Sequence, residues 1–126
     1  MKSYKEIDIF LRRLQCDDLA VLLGELVQKN HDQLPLPGQG QTLARWQALA
    51  SVAAHNLSLA KLFEGHTDAL AILQEIGSTD QVVAGTWAVW AAEPPGQKIQ
   101  VTHIGTLKHF GPGDTVLLTG TKAWCS

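Results

Sequence analysis

Charge is scarce in this chain, and what there is does not cluster. Ten Lys and Arg stand against twelve Asp and Glu, 17% of 126 residues, for a net charge of −2. Arg12-Arg13 is the one adjacent basic pair, so there is no basic stripe to engage nucleic acid or an anionic membrane, and neither is expected as a partner. Cysteine is almost missing. Cys16 and Cys125 lie far apart in different kinds of segment, which favours free thiols in a reducing cytoplasm over a disulfide framework. Long apolar runs are missing as well: charged or polar residues interrupt every one before it reaches membrane-spanning length. Asp8, Arg12 and Arg13 occupy the stretch where a secretory signal would carry its apolar core. The composition reads as a soluble cytoplasmic protein.

The common chemical motifs are absent too. The five histidines (31, 55, 66, 103 and 109) form no i, i+4 pair and accompany no Cys-x-x-Cys, so no metal ligand is assigned. No Gly-x-Ser-x-Gly turn holds a nucleophile for a hydrolase, and His66 and Asp68 read as ordinary helix-surface groups. Gly38-Gln-Gly40 sits between helices rather than after a strand, which makes it a poor phosphate loop.

What remains is a clear change of pattern along the chain. Ser3 and Glu6 fit a capping box ahead of Ile7, Phe10, Leu11 and Leu14 at helical spacing. Asp17 or Asp18 can cap a second helix whose apolar face is Leu19, Leu22, Leu23, Leu26 and Val27. Prolines and glycines at 34–41 make a loop. Thr42 can open a third helix, and Asn56 can cap a fourth that runs to about Ile76, with Gly77 as its stop and Gly65 marking a close crossing or a break. Alanines at 44, 48, 50, 53, 54, 60, 69 and 71 favour helix and close helix approach. Beyond residue 80, segments 86–92, 98–103, 106–110 and 116–118 read as strands, parted by turns at 94–96 and 111–114.

Helices first and strands after give an α+β chain: an all-α N-terminal domain over 1–80, then an incomplete antiparallel β domain over 81–126. The segment Thr115–Thr119 and the run from Gly120 to Ser126 read as a hairpin whose return strand stops at Ser126. A strand left open there suggests a piece of a larger protein, or a truncated relative of one.

Two segments, taken together, carry a resemblance. One is Trp87-Ala-Val-Trp-Ala-Ala-Glu93-Pro94; the other is Leu118-Thr-Gly-Thr-Lys-Ala-Trp-Cys-Ser126. Their order after a helical start, with Leu57-Ser-Leu-Ala60 and Glu64-Gly-His66, resembles the acyl-CoA dehydrogenase family of flavoproteins, in its divergent bacterial members. The resemblance implies FAD as cofactor and an acyl-CoA substrate undergoing α,β-dehydrogenation. Members are commonly dimers or tetramers through surfaces that lie largely in a C-terminal bundle, so the resemblance leaves the oligomeric state open, a homo-oligomer included. By the same resemblance Trp124 would pack against the flavin, Ser126 would supply a hydroxyl to the ring, and the backbone at Ala91 and Ala92 would run along the ring edge. A flat apolar wall, backbone donors and a hydroxyl near the reactive nitrogen are what an isoalloxazine ring needs.

The sequence departs from the family's pattern in three places. Ala92 stands where members usually have Thr, Pro95-Gly-Gln-Lys-Ile replaces their Gly-Ser-Asp, and the stretch from Ile76 to Trp87 is short. The family's carboxylate base lies on a C-terminal helical bundle that would follow Ser126, so no catalytic residue is assigned; Glu64, Glu75 and Glu93 have no claim by position. The chain alone is expected to be inactive and to bind FAD weakly or not at all. The alternative is a non-catalytic helical interaction module or subunit derived from that family.

Overall fold

The structure is a computed structural model that describes residues 4–77, 84–103 and 115–123. Two compact units divide the chain, Met1–Val89 and Trp90–Ser126. The class is α+β, as expected: the described residues form four helices and a two-stranded antiparallel sheet.

The helical unit holds α1 (Tyr4–Arg13), α2 (Leu19–Gln28), α3 (Thr42–His55) and α4 (Leu57–Glu75). Each start has a local cause. Asp18 accepts from the backbone N–H of Ala20 and Val21 at the head of α2, and Asn56 accepts from Leu59 N–H at the head of α4. Gln41, the residue before α3, makes no side-chain cap, and Thr42 is the first helical residue. The proposed Ser3 cap lies outside the described residues.

The ends are as specific. Asn30 takes φ 55° just past α2, while the N–H of His31 bonds Leu26 O and that of Asn30 bonds Val27 O. That double bond is a Schellman stop with Asn in the left-handed position, and it fixes where His31 and Asp32 emerge. Gly77, at φ 72°, ends α4 in the left-handed region and donates its N–H to Gln74 O. Gly65 neither breaks α4 nor marks a crossing: the helix runs through it, and a Cβ added there would meet nothing within 4 Å.

Helix α3 packs between α1 and α4, and α2 lies against α4. Ile7 and Leu11, Leu22, Leu23 and Leu26, Ala48 and Val52, Leu59 and Phe63 form one core from all four helices. Each large member contributes about 1.5–3 kcal/mol of burial. The face expected for α2 is the one buried, with Leu19 and Val27 at its margin.

The second unit pairs β1 (Gln100–His103) with β2 (Val116–Thr119), setting Gln100 opposite Thr119 and His103 opposite Val116. Pro94 O accepts from Gln97 N–H, with Gly96 at φ 80°, the geometry a Pro-Pro-Gly turn requires. Two strand expectations need correction. Residues 86–92 form no strand: Trp87 donates its N–H to a histidine side chain instead of a ladder. The partner of β2 is β1, not the run after Gly120, whose described residues Thr121–Ala123 are irregular. Gly120 is less a hairpin turn than a point of close approach. A Cβ there would stand 2.7 Å from Lys98 O, and φ is 144°. The expected segment 106–110 and the turn at 111–114 lie outside the described residues.

Candidate functional site

In the helical unit the polar groups converge around His66, which is 1% exposed. The expectation of a surface histidine is therefore overturned. His66 follows Leu59 by seven residues and Phe63 by three, so it falls on the buried stripe of α4. Its Nε2 lies 3.2 Å from Oδ2 of Asp32, itself buried, and its Nδ1 accepts the backbone N–H of Trp87 at 2.9 Å. A backbone N–H can only donate, so Nδ1 carries the lone pair and the ring proton sits on Nε2, donated to the carboxylate. The second oxygen, Asp32 Oδ1, has no hydrogen-bond partner among the described residues.

Arg45, buried on α3, completes the cluster. It donates to Oδ1 of Asp68 at 2.6 Å, to Pro35 O at 3.1 Å and to Thr67 Oγ1 at 3.4 Å. Asp68 is thus the half-exposed partner of a buried guanidinium, and the pair ties the 34–41 loop to α4. Chemically the cluster is committed to holding structure. Both nitrogens of His66 are engaged, and general acid–base work needs one of them to face a substrate. The sequence signal for His66 was its helical spacing; for Asp32, beyond the end of α2, there was none.

In the second unit the two motif segments meet. Lys122 Nζ donates to Ala91 O at 3.4 Å and lies 3.5 Å from Glu93 Oε1. Ala91 and Ala92 are exposed, and their side chains end at a methyl, leaving an edge that a flat ring can approach without displacing anything larger. The resemblance would set these two positions along the edge of a flavin, but they belong to no strand and Ala91 O already accepts from Lys122. Trp124 and Ser126 lie outside the described residues. The structure therefore brings the segment of Ala91 and Ala92 against Lys122, two residues short of Trp124.

Among the described residues, no three His, Cys, Asp or Glu side chains come together to hold a metal ion, and no helix is long and apolar enough to cross a membrane. No protein-family model, curated protein or solved structure matches the chain.

Proposed function

We propose that this chain supplies the helical wall of an acyl pocket and the first part of a flavin-binding β domain in a cytoplasmic FAD-dependent oxidoreductase that dehydrogenates acyl thioesters. The observation that supports this reading best is Lys122 reaching back to Ala91 O and Glu93, since it joins the two segments on which the resemblance rests. Ala91 and Ala92 would line the ring edge, Trp124 would cover the ring and Ser126 would donate its hydroxyl. Bound FAD supplies the hydride acceptor for the β-carbon. The proton acceptor comes from elsewhere. Glu64 is paired with Lys61 on an exposed helix surface, and Glu93 is engaged by Lys122.

The test is the coding sequence after the Ser126 codon, expressed together with this chain. The expected outcome is an open frame carrying a helical bundle with an acidic residue. Its product should be yellow and should bleach an electron-acceptor dye only when given acyl-CoA. A stop codon, or a colourless inactive product, would overturn the reading. It would favour the second one, a non-catalytic interaction module, for which the exposed Val101, Val116, Leu117 and Leu118 speak.

A further inference from the structure

Residues 84–89 form neither helix nor strand, yet Trp87 is fastened to α4 through its backbone, its N–H donating to His66 Nδ1 at 2.9 Å. Most backbone donors meet a carbonyl, an acceptor that does not change with pH. This one meets a titratable ring. Histidine is the side chain that changes charge between about pH 5 and 8, and the imidazolium carries a proton on each nitrogen. Once protonated, Nδ1 is itself a donor and faces a second donor across the same gap. Neither group can then accept, so the bond is lost rather than weakened.

The two nitrogens respond to that proton in opposite ways. Nε2 already donates to Asp32 Oδ2 at 3.2 Å, and a positive ring turns that contact into an ion pair between side chains 1% and 6% exposed. Asp32 therefore stabilises the charged ring in its place on α4, whereas Trp87 stabilises the neutral one. The surrounding charges are mostly answered elsewhere. On α3, Arg45 reaches Thr67, the next residue, but its charge is met by Asp68, and His55 is exposed. Glu25 of α2 is half-buried and bonds neither ring nitrogen, while His31, just before Asp32, stands against Phe10 of α1. The buried residues of α1 are Ile7 and Leu11, and on α4 itself Glu64 is paired with Lys61. The stretch from Gly85 to Val89 brings no titratable side chain.

We propose that His66 is an acid-sensitive latch. Neutral, it holds residues 84–89 on the helical unit; protonated, it keeps Asp32 and lets the segment go while the helices stay packed. The core built on Ile7, Leu26, Val52 and Phe63 does not include Trp87, so releasing the segment leaves it intact. The released stretch is the one that leads into the second unit at Trp90, and acid therefore loosens that connection. This inference does not depend on the flavin reading.

The whole chain, labelled with ¹⁵N, is titrated from about pH 8 to about pH 5, the range in which histidine changes charge. Histidine side-chain nitrogen shifts follow each ring, and the heteronuclear Overhauser effect of each backbone amide reports fast local motion. The Trp87 amide should be ordered at the start and should lose that order with the midpoint at which His66 titrates, while Leu59 and Phe63 stay ordered. His66→Asn keeps an acceptor near the place of Nδ1 that takes no proton, and it should hold Trp87 ordered throughout, with helical circular dichroism checking its fold. Trp87→Pro removes the donor and leaves the ring, so the His66 midpoint should move to higher pH. A His66 that titrates with no change at Trp87, or that stays neutral down to pH 5, would overturn the proposal. So would a transition that follows His31 instead, one that melts the helices together with the segment, or a Trp87→Pro midpoint that does not rise.

Discussion

Replacing His66 with leucine tests the reading of the buried cluster most directly. The substitution keeps an apolar side chain on the α4 stripe but deletes the Nε2–H that meets Asp32 and the Nδ1 that accepts from Trp87. Asp32 would then be a buried carboxylate with neither oxygen bonded among the described residues, since Oδ1 already lacks a partner. Leaving a buried acceptor without its donor costs about 1–3 kcal/mol, and more when the acceptor is a carboxylate. Trp87 is only half-buried, so water can replace the histidine there, and that loss adds at most about 1 kcal/mol. A small domain has about 5–15 kcal/mol in hand, so the variant should be visibly less stable in urea when followed by helical circular dichroism.

The sharper test is the double variant. Asp32→Leu with His66→Leu removes the charge along with its partner and should recover much of the loss, falling within about 2 kcal/mol of the natural chain. A histidine nitrogen spectrum should also show Nδ1 as the lone-pair nitrogen. If the single variant costs under about 1 kcal/mol, or the double costs the sum of the two singles, the pairing described here is wrong.

Three further outcomes follow from single positions. Gly120→Ala should disrupt the β1–β2 pairing by about 1–3 kcal/mol, because the new methyl meets Lys98 O at a φ that L-residues avoid; cross-strand contacts between Val101 and Leu118 in nuclear Overhauser spectra should weaken. Gly65→Ala should instead stabilise the helical unit by about 0.5–1 kcal/mol, since the methyl enters open space in mid-helix; an unchanged urea midpoint would contradict this. Arg45→Met should cost about 2 kcal/mol and speed proteolysis within residues 35–40, where the guanidinium now holds Pro35.

The helices were legible because their signals are local. Asp18 and Asn56 announce two starts, Gly77 one end, and the Leu22–Leu26 spacing one buried face. The Pro-Pro-Gly turn was legible for the same reason. Segment 86–92 and the described residues 121–123 misled because β-branched and aromatic composition states only a fit to a pleated surface. Whether a ladder partner stands beside the segment is decided at long range, by His66 for one segment and by the close approach at Lys98 for the other. The Asp32–His66 pair was hidden because thirty-four residues separate its members, and only packing brings them together.

The buried polar groups also limit what the helical unit can contribute to any reaction. His66 has both nitrogens engaged, Arg45 spends its donors on Asp68, Pro35 and Thr67, and Glu64 faces Lys61. None of these is poised to take or give a proton to a bound molecule.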